Sequence, residues 1–326
     1  MIELIERIEK GELHVHLMGL ASTDLLRRLL QIEQLKGNIP GEFNLYNDLN
    51  VQSKVRQLSE YLRPWQILKH VPTSKESLGL IVRSAFQNLQ TQNITFVELR
   101  NSVIYLAHLN GISVSKALGW LVDEVGCASS EYGIVAGLIL TTPRGEDACQ
   151  NFELLLDAYV KNGKPEIVVG LDLAGDENLE VPPDLPRMFA KARGDHGLGV
   201  TIHAGESGQL ENVFRAVLEY KCDRIGHGTA ASRSRSAMDL LREKDICVEV
   251  CPISNELTGA VREGEPHPIL ELIKNEVPFV LCSDNPSVQH SCLSDDYLDF
   301  YRVTNRMDII RSLYDRQKEY SFINEN

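Results

Sequence analysis

The feature that most constrains the fold is a repeated alternation of short β-rich segments and longer helical segments. Eight runs of apolar or β-branched residues predict strands at residues 11–16, 95–100, 133–140, 167–172, 199–203, 223–227, 246–250 and 278–283. Helical periodicity lies between most of these runs, at residues 113–126, 148–161, 184–193, 208–219, 234–243 and 267–275. A strand followed by a helix, repeated in this way, favours a closed parallel (β/α)8 TIM barrel over an open doubly wound sheet.

One connection is much longer than the others. It joins the first and second predicted strands and contains a helical insertion at about residues 20–90, in which Ser22 is a candidate N-cap. Residues 55–72 are apolar at helical spacing. Because an insertion at this place lies over the C-terminal face of a barrel, we expect a lid or a substrate wall, with simple coverage of the rim as the alternative. The whole chain, 1–326, is predicted to be a single domain of this type.

Composition excludes several classes of function. The net charge of −13 leaves no basic stripe for a nucleic-acid backbone. No apolar run reaches the roughly 20 residues of a membrane span, and the N-terminus has no apolar signal core, so we expect a cytoplasmic protein without a membrane partner. The seven cysteines are scattered with no CxxC pair, which favours buried thiols over disulfides or zinc ligands. The oligomeric state is not predicted.

Chemically unusual residues fall at the C-terminal ends of the predicted strands, where barrel enzymes carry their active sites. His14 and His16 are one residue apart on the first strand, so the two-residue period turns both imidazoles to the same side. His203 ends the fifth strand, and Glu206 follows it in a glycine-containing loop. The sixth strand ends in His227, between two glycines.

The eighth strand ends in Asp284, which completes a set of three imidazoles and one carboxylate with His14, His16 and His203. This set suits zinc, with iron, cobalt or manganese as weaker alternatives, and it leaves one coordination position open for water. We therefore predict one Zn2+ per chain. Unpaired buried ionisable groups would be costly, which argues against four isolated core residues.

These residues lie in segments that resemble the adenosine deaminase family of the amidohydrolase superfamily. The similar segments occur in the family's order and span nearly the whole chain: GELHVHLMG (11–19), FVELR (96–100), VVGLDLAGDE (168–177), TIHAGES (201–207), RIGHGT (224–229), CPISN (251–255) and SDNP (283–286). The resemblance implies a (β/α)8 barrel, one zinc ion, and hydrolytic removal of the 6-amino group of an adenine ring as ammonia. The HxE and PCxxC signature of cytidine-type deaminases is absent from the sequence.

The resemblance also implies roles for individual residues. His14, His16, His203 and Asp284 would bind the metal, with His16 and Asp284 also next to the substrate and the reacting water. Glu206 would protonate ring nitrogen N1, and His227 would orient or deprotonate the attacking water. The backbone amide of Gly175 would donate to ring nitrogen N3.

Two positions depart from the family pattern. Met18 stands where the family usually has an aspartate that reaches the ribose 5′-hydroxyl, so a substrate with a different 5′ end becomes more plausible. Asn285 replaces the second aspartate of a pair, and its amide would be able to donate to purine N7. Leu62 and Trp65 are candidates for the wall of the sugar pocket, although a helical apolar stripe is also typical of core.

Adenosine is the first candidate substrate, and the partner is therefore a small aminopurine. Another aminopurine stays open: free adenine, a 5′-modified adenosine or an N6-substituted adenine compound. A purine-binding homologue without catalysis is a third alternative, against which the presence of all the ligands and both acid–base residues argues.

Overall fold

The eight strands form one parallel sheet in which each strand pairs with the next along the chain. The computed structural model describes residues 1–40 and 43–323. Residues 41–42 of the predicted insertion and residues 324–326 of the predicted domain lie outside the described part. The strand bounds agree closely with the sequence prediction: β1 Lys10–His16, β2 Ile94–Asn101, β3 Val135–Pro143, β4 Val168–Ala174, β5 Gly199–Ala204, β6 Arg224–His227, β7 Cys247–Val250 and β8 Phe279–Leu281.

The sheet closes where β1 meets the residues that follow β8. Val15 forms a parallel bridge with Asp284. The backbone N–H of His16 donates to the Asp284 carbonyl at 3.0 Å, and the Asp284 N–H donates to the His14 carbonyl at 2.8 Å. The predicted (β/α)8 barrel is therefore confirmed.

Helices connect the strands. Within the described ranges they are α1 Ile2–Arg7, α2 Leu17–Leu20, α3 Thr23–Leu35, α4 Leu58–Tyr61, α5 Trp65–Leu68, α6 Lys75–Thr91, α7 Val103–Asn110, α8 Val114–Tyr132, α9 Ala148–Lys161, α10 Leu185–His196, α11 Leu210–Leu218, the 3-10 helix Thr229–Arg233, α12 Arg235–Glu243, α13 Pro252–Leu257, α14 Pro268–Lys274, α15 Pro286–Gln289, α16 Leu293–Thr304 and α17 Met307–Tyr320. None of the helices in these ranges is long and apolar enough to cross a bilayer.

The insertion between β1 and β2 differs from the sequence expectation in two details. Ser22 occupies the N-cap position of α3, but its side chain makes no capping hydrogen bond. The apolar stretch at 55–72 forms two short helices, α4 and α5, because Pro64 lacks the N–H that a continuous helix needs.

The insertion contacts the loops that follow β7 and β8. The N–H of Val51 donates to the Val288 carbonyl at 2.9 Å, and the N–H of Val55 donates to the Leu257 carbonyl at 2.8 Å. The described part of the insertion therefore lies at the C-terminal face of the barrel. Its action as a lid stays a prediction.

The cysteines follow the prediction only in part. Cys222, Cys247, Cys251 and Cys282 are buried, and all seven are free thiols. The prediction of buried thiols is wrong for Cys127, which is exposed on α8, while Cys149 and Cys292 are half-buried. The sequence pattern missed Cys127 because α8 is amphipathic and its outer face accepts a small thiol as readily as a polar residue.

The segment after α17 closes the N-terminal end of the barrel. The ring of Phe322 stacks under the Arg224 guanidinium, 3.6 Å from centroid to Cζ. Glu98 Oε1 accepts from Ser321 Oγ at 2.8 Å and from the Phe322 N–H at 2.5 Å. A Cβ on Gly199 would lie 2.4 Å from the Phe322 ring, so this strand residue must be glycine for the ring to fit.

We expect Phe322→Ala to lower the free energy of unfolding by about 2 kcal/mol, because it removes the ring that packs on Gly199 and on the Arg224 guanidinium. Urea unfolding measures the change. Leu35→Ala, at a position that is 89% exposed, is the control and should change stability by less than about 0.5 kcal/mol. Equal stability of the two variants would mean that Phe322 does not stabilise the barrel end.

Candidate metal centre and active site

Four predicted ligand side chains converge inside the C-terminal mouth of the barrel. The donor atoms of His14, His16, His203 and Asp284 all lie within 4.8 Å of one another. Asp284 Oδ1 is 3.6 Å from His14 Nε2 and 3.5 Å from His16 Nε2, and the Nε2 atoms of His16 and His203 are 3.3 Å apart. Zinc binds histidine nitrogen and aspartate oxygen atoms at about 2.0–2.2 Å, so donor atoms at these separations can share one ion.

Hydrogen bonds from the Nδ1 atoms fix the orientation of two of the imidazoles, those of His14 and His203. His14 Nδ1 lies 2.8 Å from Glu249 Oε2, and His203 Nδ1 lies 2.9 Å from Asp172 Oδ1. Because a carboxylate only accepts, each Nδ1 carries the proton and each Nε2 keeps its lone pair. His14 Nε2 is buried and has no hydrogen-bond partner among the described residues. An orphaned acceptor at the centre of the cluster fits a cation there.

Burial keeps these imidazoles neutral. It lowers the pKa of His16 to about 3 and the pKa of His203 to about 4, against partial compensation from Asp284 and Asp172 respectively. Both rings are therefore uncharged at neutral pH and able to bind a metal ion.

Asp284 is oriented by hydroxyl groups from two short helices, α4 and α13. Its Oδ2 accepts from Ser254 Oγ at 2.7 Å and from the Tyr61 hydroxyl at 3.3 Å, which leaves Oδ1 facing the imidazoles. Its backbone lies in the left-handed region, at φ 61°. Tyr61, which lies in the apolar stretch at residues 55–72, is thus a hydrogen-bond donor to the carboxylate of the cluster.

Glu206 and His227 face each other beside this cluster. Glu206 Oε1 is 3.7 Å from His227 Nε2, and both residues are buried. His227 Nδ1 lies 2.9 Å from Asn255 Oδ1, so Nδ1 donates a hydrogen bond to this amide oxygen. The other ring nitrogen, Nε2, is then the one able to accept a proton. Burial raises the pKa of Glu206 well above its usual value, and the charges of Asp284 and Glu177 raise it further. Both effects favour the protonated form of the Glu206 carboxyl group.

The glycine before His227 makes room for the cluster. A Cβ on Gly226 would lie 2.8 Å from His14 Cε1, so any larger residue would displace that ring. His227 itself has φ 64°, a conformation that non-glycine residues rarely adopt and that is found where the surrounding structure enforces it. Gly226 therefore allows the imidazole of His14 to pack beside β6.

A buried ionic network, which the sequence reasoning missed, lies beneath the cluster. Glu249 accepts from Arg100 Nη2 at 2.6 Å, from Arg224 Nε at 2.7 Å and from Thr201 Oγ1 at 3.0 Å, in addition to His14. Although burial alone would raise the pKa of Glu249, the two guanidinium groups hold it well below its usual value. In the sequence, the only signal of this network is a charged residue within each of three largely apolar strand segments: Arg100 in β2, Arg224 in β6 and Glu249 in β7.

The predicted substrate residues differ in burial and in their contacts. Asn285 is buried; its Nδ2 donates to the Tyr61 hydroxyl at 3.3 Å, while its Oδ1 has no partner among the described residues. Trp65 is half-buried with its ring 6.1 Å from the ring of Tyr61. Met18, on α2, and Leu62 are half-buried against the core, and Gly175 is exposed directly after β4 with φ 108°.

Comparison with known proteins agrees with this geometry. A family model described as adenosine deaminase matches residues 9–309. An adenosine deaminase of Clostridium botulinum is 30% identical over 296 residues, which cover 89% of this chain and 87% of that protein.

Solved structures share the fold. The N6-mAMP deaminase of Arabidopsis superposes with a TM-score of 0.83 at 23% identity, covering 99% of this chain and 96% of that one. An adenine deaminase from Arthrobacter aurescens superposes with a TM-score of 0.83 at 19% identity, covering 97% and 94% of the two chains. A zinc-bound amidohydrolase from Burkholderia ambifaria gives 0.85 at 19% identity, covering 99% and 88%. At these identities the likeness shows the fold.

We expect Glu249→Gln to lower the free energy of unfolding by about 3–5 kcal/mol, because it leaves two buried guanidinium groups short of one negative charge. Denaturant unfolding followed by circular dichroism measures this loss. The control is Glu271→Gln on the exposed face of α14, where loss of a surface ion pair with Lys274 should cost less than about 1 kcal/mol. A Glu249→Gln protein as stable as the control would contradict the assigned role.

Proposed function

We propose, from the premise that the chain belongs to the adenosine deaminase family, that its substrate is an adenine nucleoside, with adenosine as the first candidate. The enzyme is a hydrolase that acts on the C–N bonds of cyclic amidines. In the proposed reaction, water adds to C6 of the purine ring, the C6–N bond breaks, and the amino group leaves as ammonia.

One observation carries the proposal. A buried carboxyl group whose surroundings raise its pKa, that of Glu206, and the imidazole of His227 lie 3.7 Å apart beside four converging residues that could hold a metal ion. Hydrolytic deamination of a purine needs an acid for the ring nitrogen and a base for the water at the same time. An arrangement that holds both groups against one metal position meets that need.

The residues proposed to hold one zinc ion are His14, His16, His203 and Asp284. Three imidazoles and one carboxylate with donor atoms within 4.8 Å of one another are a donor set that zinc binds in proteins. When bound, zinc supplies the positive charge that lowers the pKa of a water molecule toward about 7. Glu249 and Asp172 orient two of the imidazoles through their Nδ1 atoms.

Glu206 is the proposed proton donor to ring nitrogen N1. Its burial and the nearby charges raise the pKa of the carboxyl group, which favours the protonated form that can neutralise the charge building up on the ring as C6 is attacked. His227 is the proposed base, since Asn255 fixes its Nδ1 proton and leaves Nε2 to accept the proton of the water. Asp284 lies in the same cluster and would accept a hydrogen bond from that water.

The proposed substrate contacts surround these groups. The Gly175 amide would donate to ring nitrogen N3, and Leu62 and Trp65 would contact the sugar. Asn285 is proposed to face N7; one of its amide protons goes to Tyr61, so the other is the one available to the ring.

A second candidate substrate class comes from Met18. Its half-buried thioether offers no hydrogen-bond acceptor to a 5′-hydroxyl. This favours free adenine, a 5′-modified adenosine or an N6-substituted adenine compound. Two proteins with the same fold, an N6-mAMP deaminase and an adenine deaminase, act on substrates of this wider group.

A panel of aminopurines tests the two substrate classes. Zinc-loaded protein is mixed with adenosine, adenine, 5′-deoxyadenosine, AMP, N6-methyladenosine and N6-methyl-AMP, and the loss of the amino group is followed by ultraviolet absorbance. The highest kcat/KM for adenosine would support the first class and remove the second. No release of ammonia or methylamine from any member would contradict the proposed function.

We expect Glu206→Gln to keep one zinc per chain and to lose activity by at least about 100-fold, because only the proton donor is removed. His14→Ala should instead lose the metal, since three donors remain and one carboxylate, Glu249, is left without its imidazole. Metal analysis of both purified variants, together with kcat, measures the difference. Near-normal turnover by Glu206→Gln would refute its role as the acid.

A further inference from the structure

The loop after β4 carries a buried carboxylate that holds the loop after β5. Glu177 is 3% exposed. Its Oε1 accepts from the Gly205 N–H at 2.6 Å, and its Oε2 accepts from the Ser207 N–H and from Ser207 Oγ, both at 2.7 Å. One side chain therefore binds the backbone on both sides of Glu206.

The loop after β6 holds the same segment from the other direction. The Gly205 carbonyl accepts from Thr229 Oγ1 at 2.7 Å and from the Ala230 N–H at 3.1 Å. Both peptide groups that contain the backbone of Glu206 are thus hydrogen-bonded, one through the Gly205 carbonyl and one through the Ser207 N–H. Gly205 has φ 82°, and a Cβ there would lie 2.8 Å from Val213 Cγ2, so the backbone has little room to shift.

Glu206 depends on this backbone for its position. Within the described part of the chain its carboxyl group makes no hydrogen bond, and the 3.7 Å approach to His227 is its shortest ionic contact. The carboxyl group is therefore left for a ligand, while the two peptide groups decide where it points.

We propose that Glu177 is a positioning residue, which acts through Glu206 by fixing the backbone N–H groups of Gly205 and Ser207 on either side of it and so sets the carboxyl group against the reacting ring nitrogen. This inference rests on the proposed function. Gly175, whose amide is proposed to bind the purine ring, lies two residues before Glu177 on the same loop. The loop therefore fixes the distance between the ring-binding amide and the proton donor. A displacement of about 1 Å in such a pair can cost about 100-fold in rate.

The competing explanation is that Glu177 only stabilises the loops. The two explanations differ in one respect. A residue that acts through Glu206 has no further effect on the chemical step once the acid of Glu206 is removed, whereas loss of general stability acts in either background.

A double-mutant cycle tests the proposal. Glu177→Gln keeps the size of the side chain, but its amide group has only one oxygen to accept from the two backbone N–H groups. We expect kcat to fall by about 10- to 100-fold with KM changed by less than about threefold, and with one zinc retained per chain. In the Glu206→Gln background the same substitution should lower kcat by less than about twofold.

Two matched controls accompany the cycle. Glu180→Gln removes an exposed carboxylate of the same loop and should leave kcat unchanged. Ser207→Ala removes one donor but keeps both backbone bonds to Glu177, and its loss of kcat should be smaller than that of Glu177→Gln.

Any of three kinetic or metal-binding results would overturn the proposal: wild-type kcat in Glu177→Gln, an equal fold-loss of kcat in both backgrounds, or loss of zinc from Glu177→Gln. Backbone hydrogen exchange of residues 204–208 separates this test from the proposed function, because it needs no turnover. Faster exchange confined to this segment in Glu177→Gln supports the positioning contact. Unchanged exchange overturns it, even if the wild-type protein turns over no aminopurine.

Discussion

The closure of the sheet between β1 and β8 is the contact on which the site depends. Two backbone hydrogen bonds link Asp284 to His14 and His16, and they join the first strand to the last. In an open sheet these strands would be opposite edges, and the carboxylate would lie far from the two imidazoles. Because the barrel is closed, the same hydrogen bonds that complete the fold also bring three of the four donors together.

Charge compensation inside the barrel follows from this closure. Arg100 and Arg224 are fully buried, and each is paired with Glu249. Burying two guanidinium groups is costly unless carboxylates accept hydrogen bonds from them. Glu249 meets this requirement, and it also accepts a hydrogen bond from Nδ1 of His14. The stability of the barrel centre and the tautomer of a metal donor therefore depend on one residue. The C-terminal segment continues the network through Glu98, which binds both Arg224 and Phe322.

At the C-terminal face of the barrel, hydrogen bonds between loops take the place of the buried ion pairs at the barrel centre. Glu206 lies on the short loop after β5, and hydrogen bonds from neighbouring segments fix the backbone of that loop, as Glu177 and Thr229 do on either side of Glu206. His227 and Asp284 both occupy left-handed backbone conformations, which cost free energy and persist only where many contacts enforce them. Through the hydroxyl of Tyr61 the insertion is hydrogen-bonded to Asp284, so the insertion and the cluster of His14, His16, His203 and Asp284 form one connected structure.

The sequence by itself determined the alternation of strands and helices, the barrel, and the four converging donors, because strand periodicity and strand-end position are local properties. It did not determine which side chains orient those donors. The hydrogen bond from Tyr61 to Asp284 depends on how the insertion meets residues far along the chain. Glu249 and Glu177 look like ordinary acidic residues in the sequence. Only the tertiary structure gives them partners, since the donors they bind come from other strands and loops that barrel closure brings within hydrogen-bonding distance.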